Sequence, residues 1–316
     1  MFDKPGGKVL SKSVNRPWYY ETAKKVRDWG TVTANFIGTS STKDWVSLDN
    51  GAGVKWRTTS KAVKQDTIAG RVFQVDDFGD DATAADNRCT RTTYPEVTGA
   101  NILNLPTRVE TVTKACDATT DRSKDVVSDI RTAYDGGAYS AAPSKGDASA
   151  IATLKSHDGT KATYLESGAT YDAYGRPLKT TDLVADVTAK GTDAPVRTVR
   201  NDGRTTTTTY TPATGLATEI KVTTPPANAA DTASAQTTVT TVDPVRGVVV
   251  KQTDTNSNVT ELAYDALGRS TKVWLADRRN TKLPNQEFVY TIADKTVAVA
   301  TKTLNNSGIQ VTSYAL

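Results

Sequence analysis

The 316-residue chain has little of what enzymes use: one histidine, two cysteines and one methionine. A single histidine excludes paired-imidazole metal sites, and it would force any Ser-His-Asp triad onto His157. His157 precedes Asp158-Gly159, a dipeptide that reads as a surface turn. Gly-x-Ser-x-Gly, a phosphate-cradling glycine loop and His-Glu-x-x-His are all missing. No apolar run is long enough to span a bilayer, and no hydrophobic signal segment follows Met1. A dominant charge is missing too: 39 basic and 35 acidic residues leave +4. Lys4, Lys8, Lys12, Arg16, Lys24, Lys25 and Arg27 thicken the start, but no aromatic stacking pattern accompanies them. They read as a solvated lead-in, and nucleic acid is not expected as a partner.

Hydrophobic residues make up 37% of the chain, and its mean hydropathy is −0.46. That composition allows only a limited core. What is abundant is valine, threonine and tyrosine, the residues that suit a half-buried pleated surface. The expected fold is all-β, a thin ribbon of antiparallel hairpins. Strand-length segments alternate with turn clusters. Asp243, Asp254 and Asp265 stand 11 residues apart and each opens such a cluster. Between them lie Val248–Thr253 and Val259–Tyr264. A full zigzag then takes about 22 residues, in a ribbon roughly 23 Å tall.

The corner is written most clearly as Tyr264-Asp265-Ala266-Leu267-Gly268-Arg269, with a near copy at Tyr171-Asp172-Ala173-Tyr174-Gly175-Arg176. Aspartate at the first turn position can accept from backbone N–H groups further on. Glycine then supplies the positive φ that ends a three-residue hairpin. Tyrosine closes the incoming strand, and arginine can pair with the aspartate or lie on an aromatic face. Gly215 and Gly247 end variants one residue longer that carry Pro212 and Pro244, and Gly79 ends a third corner after Asp76-Asp77. Ser257 stands where a glycine is usual, so Asn256 or Asn258 is expected to take any left-handed position. His157-Asp158-Gly159 predicts a tight hairpin.

These motifs resemble the YD-repeat, or Rhs-repeat, family, whose unit has Tyr-Asp, two variable residues, Gly-Arg and an alternating strand. Thr260–Arg269 and Gly168–Arg176 are the close matches. The segments Arg88–Tyr94 and Asp125–Asp129 look like long Rhs proteins of actinomycete-type bacteria. The resemblance implies a β-spiral, an open curved piece of hollow shell such as those that enclose a C-terminal toxin. It implies a non-enzymatic structural segment of a secreted or cell-surface bacterial protein. The remaining repeats and a C-terminal effector of the same polypeptide would be its partners. The chain itself carries no recognisable self-cleaving motif or toxin segment. An adhesin-like module that binds cell-surface glycans is the alternative.

Two regions are distinguished. Residues 71–316 read as a degenerate repeat segment that stops where a new tyrosine-led unit begins, at Ser313–Leu316. Residues 1–70 read as a β-rich lead-in, with a capped helix over Tyr19–Asp28 as the other possibility. No cofactor, metal or catalytic residue is expected. Asp76, Asp77, Asp80, Asp81 and Asp86 are dense but lack the order of a calcium loop. Cys89 and Cys116 would form a disulfide if the product is exported, stabilising by on the order of 3 kcal/mol; two buried thiols are the alternative. The five tryptophans are expected to cover a thin core, with sugar platforms as the second reading.

Overall fold

The computed structural model describes residues 6–97, 99–191, 195–276, 278–294 and 296–315. Met1, Lys4 and Leu316 lie outside the described residues. The protein is all-β: the described residues form twenty strands in an open antiparallel sheet that does not close into a barrel. The one helical element among the described residues is a short 3-10 turn at Thr232–Ser234. By internal contacts the chain forms two compact units, Met1–Gly175 with Thr181–Gly203, and Arg176–Thr180 with Arg204–Leu316.

The first unit begins with a long hairpin, β1 (Ser11–Arg27) and β2 (Gly30–Ser47). Its register runs from Ser11 opposite Val46 to Arg27 opposite Gly30, with irregularities after Arg16 and Glu21. Tyr19 faces Ile37 and Tyr20 faces Phe36, so Tyr19–Arg27 is strand and not helix. There follow β3 (Trp56–Gln65), β4 (Val72–Asp80), β5 (Arg88–Thr93) and β6 (Arg108–Val112). Next come β7 (Val126–Tyr134), β8 (Ala148–His157) and β9 (Lys161–Tyr171). Each of these strands pairs with its successor. Most of β10 (Pro177–Lys190) and all of β11 (Val196–Val199) complete the unit. Sequential pairing follows from short connections between consecutive strands, which favour antiparallel neighbours.

The core of this unit is small. Ala152, Ala162, Tyr164, Val187 and Ala189 form one cluster, with Tyr139 and Leu154 against it. Cys89, Val112 and Cys116 form another, packed by Val126. The period-2 rule places Arg108, Glu110, Asp129, Arg131, Ala152, Tyr164 and Glu166 on one face, because Arg108 is opposite Arg131, Glu110 opposite Asp129, and Ala152 opposite Glu166. That polar face is the buried one. Ile130 and Ile151, on the other face, are 39% and 37% exposed.

The second unit continues as β12 (Thr205–Thr211), β13 (Glu219–Thr223), β14 (Thr237–Asp243), β15 (Val248–Thr253) and β16 (Val259–Tyr264). It ends with β17 (Ser270–Trp274), β18 (Gln286–Ala293), β19 (Thr296–Leu304) and β20 (Gln310–Ala315). Neighbours in sequence pair throughout. Threonine and valine dominate β12 to β15, which suits strands with no thick core beneath them. Among the described apolar side chains of this unit, Val259, Trp274 and Pro284 are buried.

Candidate functional site

The recurring corner is the first candidate. At the corner after β16, the Asp265 side chain accepts from the N–H of Leu267 at 2.9 Å and of Arg269 at 3.0 Å. Gly268 has φ +76 and donates to the Asp265 carbonyl at 3.1 Å. Arg269 donates from Nε to Asp265 Oδ2 at 2.7 Å, and its guanidinium lies 4.2 Å from the centre of the Tyr290 ring. These bonds hold the Asp265 carboxyl below its ordinary pKa against the opposing effect of desolvation. The corner before β10 repeats part of this. Asp172 accepts from the Tyr174 N–H at 2.8 Å, and Gly175 has φ +73. Arg176 instead donates to the carbonyls of Ala213 and Gly215 at 2.6 and 3.1 Å and stacks on Tyr210 at 4.3 Å. Gly215 and Gly247 also have positive φ, +77 and +68.

Two expectations about corners are corrected. Gly79 is not at a corner. It lies inside β4, where Ser60 is opposite Gly79 and Lys61 opposite Asp77, so Phe78 is the extra residue of a bulge. Its φ of +56 serves that bulge. At the corner after β15, Ser257 itself takes the left-handed conformation, with φ +64. The cost is met locally: Asp254 accepts from the N–H of Asn256 and of Asn258, each at 2.8 Å, and from the Asn258 amide at 2.9 Å.

A second recurrence was not legible from spacing alone. The hydroxyl of Tyr94 donates to the Val72 carbonyl, Tyr134 to Pro106, Tyr171 to Ala148, Tyr210 to Pro177, Tyr264 to Val249 and Tyr290 to Ser270. The distances run from 2.8 Å for Tyr264 to 3.3 Å for Tyr210. In most cases a tyrosine near the end of one strand reaches the beginning of the strand before it. Each hydroxyl therefore caps a ladder end and satisfies a carbonyl there.

The buried polar face holds the densest electrostatics. Arg108 donates to Asp129 Oδ1 at 2.8 Å and Oδ2 at 2.6 Å, and to Glu110 at 2.7 Å. Tyr164 donates to Asp129 at 2.7 Å. Arg122 holds Glu110 from the other side. Burial alone would raise the Asp129 pKa; the Arg108 fork and the Tyr164 hydroxyl more than reverse it. Farther along, Glu166 accepts from Tyr139 and Arg197, each at 2.7 Å. Burial and the Glu166 charge push the Tyr139 hydroxyl well above its ordinary pKa. The partners of Asp129 and Glu166 are 21 to 35 residues away in sequence, so no local pattern announces them.

His157 closes β8 and lies against Arg122, whose Nε is 3.2 Å from His157 Nε2. Burial and that guanidinium hold its pKa below 6.5. Cys89 and Cys116 form a disulfide. Asp76 lies within 4.8 Å of both sulfurs, but a disulfide offers no thiolate to a metal. The acidic cluster is dispersed onto separate partners: Asp77 on Lys61, Asp80 on Arg57 and Asp81 on Lys43. Trp274 is buried and donates to the Lys282 carbonyl at 2.9 Å. Trp45 and Trp56 both face the Lys12 ammonium, at 4.8 Å each, and Trp29 at the hairpin tip is exposed.

No known family profile matches the chain, and no curated protein matches it. Solved structures give distant matches. One is the crystal structure of TcdB2-TccC3-Cdc42, with 10% identity and a TM-score of 0.22, covering 87% of this chain and 21% of that one. Another is the Tc holotoxin pore of Photorhabdus luminescens with a mutated TccC3, with 11% identity and a TM-score of 0.21, covering 98% and 20%. The chain thus spans about a fifth of the proteins it matches.

Proposed function

We propose that the chain is a non-enzymatic wall segment of a larger secreted or surface-bound repeat protein, built to extend a β-ribbon that encloses a C-terminal effector of the same polypeptide. The observation that carries this reading is the repeated tyrosine bond together with the aspartate-closed corner. The tyrosine bond ties neighbouring segments at six places, the aspartate corner closes turns such as those after β15 and β16, and the sheet stays open. In this reading Asp265, Gly268, Asp172 and Gly175 shape backbone, and their polar atoms are used in the turns. The YD-type resemblance of Gly168–Arg176 and Thr260–Arg269 supplies the container role.

The test uses the longest natural polypeptide that contains this sequence. Its C-terminal segment should resist added protease while the repeat region is intact, and should be cleaved rapidly once the shell is opened by mild denaturant. Cleavage of that segment at the same rate before and after opening would remove the container role. A glycan array on the same polypeptide separates the adhesin reading, because a wall alone gives no saturable glycan binding.

A further inference from the structure

The buried polar face of the first unit contains a cavity of about 270 Å³ whose walls include Arg108, Arg122, Arg131 and His157. Among the described residues no carboxylate lines it. The nearby acids are already occupied: Asp129 by Arg108 and Tyr164, and Glu110 by Arg108 and Arg122. Three guanidinium groups therefore share two carboxylates, and Arg131, whose charge acts on Asp129, makes no direct ion pair of its own among the described residues. Its guanidinium lies 5.0 Å from the centre of the Tyr164 ring, and its Nε is buried without an acceptor. A buried donor in that condition costs free energy until something accepts from it.

A second observation points the same way. Both ring nitrogens of His157 are approached by donors, Nδ1 by the Gly159 N–H at 3.0 Å and Nε2 by Arg122 Nε at 3.2 Å. A neutral imidazole accepts at one nitrogen and donates at the other. One of these two donors is therefore left facing an N–H. Gly159 and Arg122 both border the same cavity. Donors outnumber acceptors there, in a site that also carries one excess positive charge.

We propose that this cavity binds a compact oxyanion, either free phosphate or the carboxylate of an acidic monosaccharide. Its oxygens would accept from the Arg131 guanidinium, which lines the cavity, and from whichever donor His157 refuses, and its charge would balance the third guanidinium. The site is independent of the wall role and survives its failure.

Calorimetric titration of the whole chain with phosphate, glucuronate and glucose tests it. Saturable heat is expected from phosphate or glucuronate and not from glucose, and which anion binds identifies the source. Arg131→Met should weaken that binding at least about tenfold. Should Arg131→Met not fold, phenylglyoxal labelling of the wild-type chain gives the same answer: saturating anion should slow modification of Arg131 several-fold while leaving exposed Arg57 unchanged. No saturable binding of either anion, equal binding of glucose, or equal protection of Arg131 and Arg57 would overturn the site.

Discussion

Gly268 and Gly79 share a left-handed backbone, yet their surroundings differ. A Cβ at Gly268 would meet nothing within 4 Å, whereas one at Gly79 would collide with the Asp86 carboxylate. Gly268→Ala should therefore cost about 1 kcal/mol, the backbone strain alone. Gly79→Ala should cost about 2 to 3 kcal/mol, because Asp86 must also release the Asp80 N–H that it accepts at 2.9 Å. Urea midpoints of the two variants check the order; equal losses would contradict it. Asp129 is a different case. Its side chain is fully buried against Arg108, so Asp129→Asn leaves a half-buried guanidinium without its main partner. A loss of about 3 kcal/mol is expected in the same assay.

Cys89 sits on β5 and Cys116 in the loop after β6, 27 residues away. Closing that length of chain predicts that the Cys89→Ala/Cys116→Ala variant loses about 3 kcal/mol, measured against the oxidised parent. A midpoint unchanged between the two would show that the loop is ordered without the bond. The strands themselves were readable because valine- and threonine-rich runs sit between aspartate, asparagine and glycine clusters, as in Val248–Thr253 and Val259–Tyr264. Which face would be buried was not readable. Alternation in β7 and β9 marks two faces, but the hidden one carries Asp129, Arg131, Tyr164 and Glu166 while Ile130 and Ile151 stay half exposed. Composition assigns those polar residues to solvent. Only the cross-strand pairing of Arg108 with Asp129, and of Glu166 with Arg197, makes their burial tolerable. Gly79 was misplaced for a related reason: a bulge and a corner both ask for glycine with positive φ, and the partner strand decides between them.

For the molecule as a whole, acid should act in two stages. His157 has a folded pKa below its unfolded value of 6.5, so its contribution is present above that value and is lost as pH falls toward the folded pKa. Asp66 and Asp129 are likewise depressed from 3.8, and theirs is lost as pH falls below that value. Stability against urea should decline first as pH falls below about 6.5 and again below about pH 4, and His157→Asn should remove only the first decline. The ends of the ribbon add a concentration dependence. Among the described strands β20 pairs with β19 alone, and it exposes Val311 and Tyr314, so the isolated chain should self-associate through that edge. Light scattering should show mass rising with concentration, and Val311→Lys should reduce it. The tyrosine hydroxyls carry a longer consequence. Because most of them reach back only to the start of the preceding strand, no bond of this kind among the described residues ties distant parts of the chain together. Adding or deleting one up-and-down pair disturbs its immediate neighbours and nothing beyond them, so the polypeptide can change length by duplication without relearning how to fold.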